Sequence, residues 1–248
     1  MVSKKIISKK KFQDFDDYQF SAYRNWEQLL EKQLKNIKFT AVQPFLEGLE
    51  KIENFIDTIP TITNLSQFLQ DKTGWQLYPV TGLLEPEDYF YLLSHRYFPV
   101  ATFVRSNSDL NYSPLPDIWH DVFGHIPLLF SSTYSNFVQY LGHQYITRQD
   151  QQEAISRLYW YTIEAGVCYE EDKLRVYGAS QLSSLQEIWY AVSDRPVRFP
   201  FDLEKVIHSP VKIDRLQSHL FEIPSFDYLA VIQHEFDRYL SNNNSSNL

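Results

Sequence analysis

Apolar residues recur at helical spacing in the first part of this chain. Two runs are separated mostly by steps of three to five residues: Tyr18, Tyr23, Trp26, Leu29, Leu30 and Leu34, then Phe45, Leu49, Ile52 and Phe55. Because an α-helix turns once in about 3.6 residues, this spacing gathers the apolar side chains on one face. Both runs therefore predict amphipathic helices that pack on the body of the protein.

Helical patterns continue to the end of the chain, interrupted by short segments that favour turns or extended structure. Asn64 is a suitable N-cap for a short helix that carries Phe68 and Leu69. Further helices are predicted through Tyr89 and Leu93, from near Pro116 and Asp117 through the two histidines that follow, over 133–146 and 152–169, behind Ser183, and from Ser225 to Leu240. TGWQLYPV indicates an extended stretch, and LRVYGA alternates as a strand does. The predicted fold class is mainly α, with many helices and one or two small β pieces.

Length and composition favour a single domain. The chain has 248 residues, 44% of them hydrophobic, and no Gly/Ser- or Pro-rich stretch is long enough to be a linker. Residues 1–12, which are rich in lysine, are expected to form a mobile basic arm, and the polar residues 242–248 a disordered tail. Residues 13–241 are left as the single folded domain.

Charge and cysteine usage narrow the environment in which the protein works. A formal net charge of −8 argues against a nucleic-acid partner. No segment has the apolar length of a membrane span or of a secretory signal, so no membrane partner is expected. Cys168 is the one cysteine, which excludes an internal disulfide and fits a reducing compartment. A cytoplasmic location is therefore expected. Aromatic residues reach 16%, which fits either an aromatic core or a pocket lined with rings.

The segment PDIWHDVFGHIPLL places His120 and His125 five residues apart. Zinc proteases use histidines at i and i+4, a step that keeps both rings on one helix face. A step of five residues separates them by roughly 140° on a regular helix. Gly124 lies between the two histidines, where the helix could loosen and bring the second ring round. Two imidazoles and one carboxylate form a facial set that leaves metal positions open.

Glu164 is the candidate for the third ligand. It follows His125 by 39 residues, in the apolar segment LYWYTIEAGVCYE. A carboxylate buried there needs a cation or a strong hydrogen-bond donor. A salt bridge in the core satisfies that need as well as a metal does, but three suitable ligands in one protein favour the metal.

Six blocks of this sequence together resemble the tetrahydropterin-dependent aromatic amino acid hydroxylases. In order along residues 73–197 they are TGWQLYPVTGLL, RYFPV, PDIWHDVFGHIP, YWYTIEAG, YGASQLSS and SDRPV. The short chain resembles the bacterial phenylalanine hydroxylases, which implies a monomer. The resemblance implies a catalytic domain built around an iron site, which hydroxylates an aromatic amino acid with Fe(II), dioxygen and a tetrahydropterin.

The resemblance also implies a role for individual residues. It assigns iron to His120, His125 and Glu164, and it places Tyr159 near the iron. It assigns the substrate carboxylate to Arg105 and the rest of the substrate to Tyr112, Ser113, Pro116, Trp160, Ser180 and Ser183, with Ser183 also bonded to the first iron histidine. It assigns the pterin to Gly82, Leu83, Leu84, Tyr89 and Asp121, with Tyr89 where the family has a stacking Phe.

Two of three departures from the family pattern bear on the substrate. Ala165 stands where many members have Phe, and Ser180 stands where a Gly is usual. The third, Pro99, replaces a histidine of the animal enzymes, but the bacterial enzymes share FPV at this place. The main hypothesis is conversion of L-phenylalanine to L-tyrosine. The same chemistry on tryptophan or another aromatic amino acid is the alternative that Ala165 and Ser180 allow. A zinc hydrolase or a metal-stabilised binding module with the same three ligands is the alternative from a different class.

Overall fold

Helices carry most of the chain in the computed structural model, which describes residues 18–111, 113, 115–212 and 216–245. The α-helices of this part are α1 (Phe20–Thr40), α2 (Gln43–Ile56), α3 (Ile62–Thr73), α4 (Pro86–Ser94), α5 (Ser132–Thr147), α6 (Gln152–Tyr159), α7 (Ala179–Leu182), α8 (Glu187–Val192), α9 (Leu203–His208) and α10 (Tyr228–Ser245). Two stretches, His120–His125 and Trp160–Glu164, are wound as π-helices. Short 3-10 helices cover Asn107–Asp109, Ile126–Phe130 and Gln149–Gln151. The predicted mainly α class is confirmed.

Two small sheets accompany the helices. The first pairs β1 (Gln76–Val80) with β2 (Tyr97–Ala101) in parallel. The second has the order β4-β3-β6-β5, and its strands are β3 (Val167–Glu170), β4 (Lys173–Val176), β5 (Val197–Pro200) and β6 (His219–Ile223). β3 is antiparallel to β4, while β6 is parallel to both β3 and β5. The predicted extended segments correspond to β1 and β4.

The two predicted N-terminal helices are present, and their apolar faces reach the segment that carries the histidines. Trp26 of α1 is 1% exposed and donates its indole N–H to the carbonyl of Ile56 at 2.7 Å, which ties α1 to the end of α2. Its ring meets Trp119 edge to face, with centroids 5.2 Å apart. Burial of each large apolar side chain contributes roughly 1.5–3 kcal/mol. Helix α1 therefore supports the residue that directly precedes His120.

The aromatic residues form both an aromatic core and a ring-lined cavity, the two arrangements that composition allowed. Many of the largest fully buried side chains are aromatic and belong to one continuous core: Trp26, Trp75, Trp119, Tyr134, Tyr161, Tyr177, Phe45, Phe98, Phe123, Phe137 and Phe236. Others, among them Tyr89, Tyr159 and Trp160, line a cavity. None of the helices in the described part has the combined length and apolar character of a membrane span.

The predicted helix over 152–169 is wrong beyond Glu164, because the chain enters strand β3 at Val167. Gly166 sits at this change of direction, where a Cβ atom would lie 2.2 Å from both the carbonyl oxygen of Thr162 and the ring of Tyr177. Its own carbonyl accepts the backbone N–H groups of Tyr177 and Gly178, which brings strand β4 alongside. Long-range strand pairing therefore overrides a helical apolar pattern at this point.

Three predicted helix boundaries also differ from those observed. Asn64 is not an N-cap, since α3 begins at Ile62 and Asn64 lies inside it. The helix behind Ser183 begins at Glu187, whose N–H bonds to the hydroxyl of Ser184. Helix α10 begins at Tyr228 and runs to Ser245, past the expected boundary at 241. The expected arm at 1–12 and the last three residues of the expected tail lie outside the described residues.

Candidate active site

A π-helix brings the two histidines together. In a π-helix the backbone bonds join residues five apart, so positions i and i+5 share a face. The Nε2 atoms of His120 and His125 are 3.2 Å apart, although a regular helix would set the two rings on different faces. The convergence of the two rings, in spite of their five-residue spacing, is therefore a direct consequence of π-helical winding over His120–His125.

Gly124 has a packing role that the sequence did not predict, besides lying in the loosened π-helical turn. A Cβ atom at this position would lie 2.7 Å from the carbonyl oxygen of Ala179, closer than side-chain carbons approach a carbonyl. The glycine thus permits helix α7 to pack directly against the π-helix. A glycine is therefore needed at position 124 because the backbones of the π-helix and of α7 pack too closely for a side chain.

We expect Gly124→Ala to destabilise the protein by about 1–3 kcal/mol, because the new methyl group must push α7 away. Since α7 carries Ser180 and ends next to Ser183, the variant should also bind Fe(II) more weakly. Thermal unfolding and metal analysis would measure both effects. Gly82→Ala is the matched stability control, because a Cβ there has nothing within 4 Å. Equal stability of the Gly124→Ala variant and the wild type would contradict the packing role.

The second π-helix, Trp160–Glu164, ends at the residue that carries the candidate carboxylate ligand. The N–H of Ala165 bonds to the carbonyl of Trp160 at 2.9 Å, a step of five residues that closes this π-helical turn. One oxygen of Glu164 lies 3.2 Å from Nε2 of His125, and the other lies 3.6 Å from Nε2 of His120. The candidate ligand atoms of the three residues are all within 4.8 Å of one another. The three predicted ligands therefore converge on one point.

The pKa values of His120 and Glu164 suit a metal ligand. Burial lowers the pKa of His120 to about 4, so this imidazole is neutral near pH 7. Burial alone would raise the pKa of Glu164, but its close interactions with His125 and His120 and a hydrogen bond from Ser180 hold it at about 2. Neutral imidazoles and an ionised carboxylate are the forms that bind divalent metals.

Hydrogen bonds behind the ligands fix their orientation. The hydroxyl of Ser183 donates to the carbonyl of Ala179 at 2.8 Å, so its oxygen accepts the Nδ1–H of His120 at 2.9 Å. This bond leaves the Nε2 lone pair of His120 facing Glu164. Nδ1 of His125 lies 3.3 Å from the hydroxyl of Tyr134. Lone pairs and a carboxylate that face one point repel each other unless a cation lies between them, so the donor set fits a metal ion.

Two residues beside the ligands correct or extend the sequence predictions. Ser180, which was expected near the substrate, donates its hydroxyl to Glu164 at 2.8 Å and so orients this candidate ligand; it also lines the cavity. Tyr134 was not predicted at all. It lies nine residues after His125 in helix α5, and no local pattern distinguishes it from the other buried aromatic residues.

A cavity of about 280 Å³ opens over the ligands. The predicted site residues that line it are Leu83, Tyr89, Arg105, Ser113, Pro116, His120, Asp121, Tyr159, Trp160, Glu164, Ser180 and Ser183. Gly82, Leu84 and His125 do not line it, although His125 is buried directly behind His120 and Glu164. Tyr112 lies outside the described residues. Ala165 and Glu187, which were not predicted as site residues, also line the cavity.

Arg105, to which the resemblance assigned the substrate carboxylate, already bonds a carboxylate of the protein through part of its guanidinium. Asp117, which is fully buried, accepts Nη2 of Arg105 at 2.7 Å and Nε at 3.1 Å, and it also accepts the backbone N–H of Arg105 at 2.7 Å. The same carboxylate accepts the backbone N–H of His120 at 3.1 Å. Within the described part of the chain Nη1 has no hydrogen-bond partner. Asp117 therefore orients both the arginine and the first histidine, a role that sequence reasoning missed.

Three of the five residues assigned to the pterin, Leu83, Tyr89 and Asp121, line the cavity. The hydroxyl groups of Tyr89 and Tyr159 are 2.6 Å apart and share a hydrogen bond, which the sequence did not predict. Asp121 is buried and accepts the N–H of Ala101 at the end of β2 at 2.7 Å. Burial raises the pKa of Asp121 well above its usual range. Leu83 is 66% exposed at the mouth, so an apolar edge there is open to a ligand.

Comparison with known proteins gives a consistent result. Residues 10–244 match the biopterin-dependent aromatic amino acid hydroxylases. The phenylalanine-4-hydroxylase of Pseudomonas aeruginosa is 34% identical over 89% of this chain and 85% of its own length. The phenylalanine-4-hydroxylase of Mesorhizobium japonicum is 36% identical over 88% of this chain and 80% of its own.

Solved structures agree with these sequence relatives. The phenylalanine hydroxylase of Legionella pneumophila is 38% identical with a TM-score of 0.83, covering 88% of this chain and 87% of that one. The iron- and phenylalanine-bound enzyme of Chromobacterium violaceum is 32% identical with a TM-score of 0.80, covering 90% and 85%. Sequence, fold and site geometry thus lead to the same assignment. The chain belongs to the biopterin-dependent aromatic amino acid hydroxylase family.

Proposed function

We propose that this protein is a monooxygenase that hydroxylates the ring of a free aromatic amino acid, chiefly L-phenylalanine to L-tyrosine. The observation that carries the proposal is the convergence of His120, His125 and Glu164 beneath a ring-lined cavity that also presents Arg105. Relatives that share the sequence over most of its length are phenylalanine hydroxylases, one of them solved with iron and phenylalanine.

The three converging side chains would hold Fe(II). Two histidines and a carboxylate on one side of the metal leave the remaining positions open, the ligand set of non-haem iron oxygenases. Iron bound there, together with a reduced pterin, supplies the activation of dioxygen for ring hydroxylation. Ser183, Ser180 and Tyr134 keep the ligand atoms aimed at one point, so little reorganisation is needed when the metal binds.

Around the metal the cavity supplies contacts for an amino acid. Nη1 of Arg105 can donate to the substrate carboxylate while Asp117 keeps the guanidinium in place. Trp160 offers an apolar face for the aromatic ring. Most of the walls near the metal are buried, which limits access of water to the reacting ring.

The cofactor would lie on the side of Leu83, Tyr89 and Asp121, with the Tyr89 ring as a stacking surface. We expect Tyr89→Ala to raise the KM for the tetrahydropterin about twofold to tenfold and to leave the iron content unchanged, since stacking contributes roughly 0.5–1.5 kcal/mol. Tyr89→Phe keeps the ring and removes only the hydrogen bond to Tyr159, so its KM should stay closer to that of the wild type. Steady-state kinetics with varied pterin measure this effect, and an unchanged KM in the Ala variant would contradict the stacking role.

Tryptophan or another aromatic amino acid is the second candidate substrate. Ala165 lines the cavity where many family members have Phe, and a smaller side chain leaves more room for a larger ring. A zinc hydrolase or a metal-stabilised binding module uses the same donors but accounts for neither the family match nor the arginine in the cavity. A monomeric state, a cytoplasmic location and the lack of a nucleic-acid partner stay predictions.

The proposed function can be tested by chromatography of products. The Fe(II)-loaded protein is incubated with a tetrahydropterin, dioxygen and either phenylalanine, tyrosine or tryptophan, and oxygen consumption is followed in parallel. We expect tyrosine as the main product from phenylalanine, with pterin oxidised in proportion. Hydroxytryptophan as the main product would favour the second candidate. No hydroxylated product with any of the three amino acids would contradict the proposal.

A further inference from the structure

Glu187 lines the cavity, but its side chain forms no hydrogen bond with the candidate metal ligands or with Asp117. It is the first residue of α8, where its backbone N–H bonds to the hydroxyl of Ser184 at 3.1 Å. That hydroxyl in turn donates to the carbonyl of Asn111 at 3.1 Å. The backbone at Glu187 is therefore held in place, while its half-buried carboxylate borders the cavity. Within the described residues this carboxylate has neither a hydrogen-bond nor an ion-pair partner.

The surroundings of Glu187 disfavour its negative charge while the cavity is empty. Burial and the negative charge of Glu164 raise the pKa of Glu187 to about 8, against a smaller opposing effect of Arg105. Arg105 cannot neutralise it fully, because Nε and Nη2 of its guanidinium are bonded to Asp117. A cation that binds beside such a carboxylate stabilises its ionised form.

An ordinary structural role does not explain this residue. An acid at a helix N-terminus is stabilised by the helix dipole, which lowers a carboxyl pKa. At Glu187 the pKa is raised, so burial outweighs any benefit from the short helix α8. The carboxylate is thus costly to the fold where it stands. A group of this kind is commonly retained for binding.

We propose that Glu187 binds the ammonium group of the amino acid substrate, while Arg105 binds its carboxylate. This inference rests on the proposed function and names the part of the cavity that selects a zwitterion. Two opposite charges held by two fixed groups set the orientation of the substrate, and therefore the position of its ring relative to the metal. An aromatic acid without the amino group leaves Glu187 unpaired and is discriminated against.

The test compares two ligands that differ only in the ammonium group. Binding of L-phenylalanine and of 3-phenylpropanoate to the Fe(II)-loaded protein is measured by calorimetry without oxygen, for the wild type and for Glu187→Gln. We expect the variant to lose about tenfold to more than a hundredfold in affinity for phenylalanine, the range for one hydrogen bond to a charged group. Its affinity for 3-phenylpropanoate should stay about the same, because that ligand has no ammonium group to pair with the side chain at position 187.

Stability separates this role from a folding defect. The amide of Gln is neutral at every pH, so Glu187→Gln removes the cost of a carboxyl whose pKa is raised above its unfolded value. We therefore expect its unfolding temperature at pH 7 to 8 to equal or exceed that of the wild type. Glu170→Gln is the matched control, a carboxyl of raised pKa that bonds to the N–H of Gln43 outside the cavity. Its affinity for both ligands should not change.

Three outcomes would overturn the inference. Unchanged phenylalanine affinity in Glu187→Gln would show that the ammonium lies elsewhere, and equal losses for the two ligands would show a structural effect. In both cases a wild type that still converts phenylalanine with pterin leaves the proposed function intact. A wild type that binds neither phenylalanine nor tryptophan and hydroxylates neither would overturn the inference and the proposed function together.

Discussion

Replacement of His120, His125 or Glu164 by alanine is expected to abolish iron retention and ring hydroxylation together. Each side chain supplies one of three donors that converge within 4.8 Å, and two donors do not complete the facial set. Loss of a residue that merely orients a ligand costs about 10- to 100-fold in metal affinity, so loss of a ligand itself should cost more. Metal analysis after gel filtration and product chromatography would measure the two losses side by side.

Suitable controls keep this prediction specific. His143→Ala removes an exposed histidine from helix α5, outside the cavity, and should retain both iron and activity. The ligand variants should still unfold cooperatively, because each loses a polar group at the edge of a large apolar core. Turnover like that of the wild type in any one of the three alanine variants would rule out that residue as a metal ligand.

The second large effect is expected for Arg105→Lys. The guanidinium donates hydrogen bonds to Asp117 through Nε and Nη2, which leaves Nη1 for the substrate carboxylate. An ammonium group cannot make the paired bonds to Asp117 and reach the substrate in the same geometry. A charge-assisted bond contributes roughly 1.5–3 kcal/mol. Its loss corresponds to about tenfold to more than a hundredfold in the KM for the amino acid, with little change in the KM for the pterin.

A loosely held substrate should also uncouple the reaction. The ring then lies out of reach of the oxidant more often, and pterin is consumed with less hydroxylated product. The measurements are product formed per pterin oxidised and the saturation curve for the amino acid. Arg157→Lys is the control, since Arg157 bonds to Glu153 and to the carbonyl of Ile207 outside the cavity. An unchanged curve with full coupling in Arg105→Lys would mean that this arginine only supports Asp117.

Asp117 adds a stability effect that the sequence alone did not predict. It is fully buried, and it bonds to Arg105 and to the backbone N–H of His120. Lysine keeps the positive charge beside it but satisfies fewer of its lone pairs, so a modest drop in unfolding temperature should accompany the kinetic change. Thermal unfolding of the same variant separates this contribution from the effect on substrate binding.

Local patterns in the sequence determined the helices α1, α2, α4 and α5 and singled out the three candidate metal ligands. Helical periodicity depends on residues a few positions apart, so it is visible without tertiary structure. The five-residue step between His120 and His125 was also readable, and the structure explains it by π-helical winding. The same reasoning failed at Val167, where pairing with the distant strands β4 and β6 ended a pattern that was helical by its spacing.

Only the tertiary structure decided which partners the site residues have. Ser180 and Glu164 are 16 residues apart, and Tyr89 and Tyr159 are 70 apart, yet each pair shares a hydrogen bond. Tyr134 behind His125 and Glu187 at the cavity carry no local signal, because a buried tyrosine and a helical glutamate are common in any chain. The sequence alone thus predicts which residues could bind iron. Their orientation and charge depend on burial and on contacts between distant segments, which exist only after the core has packed.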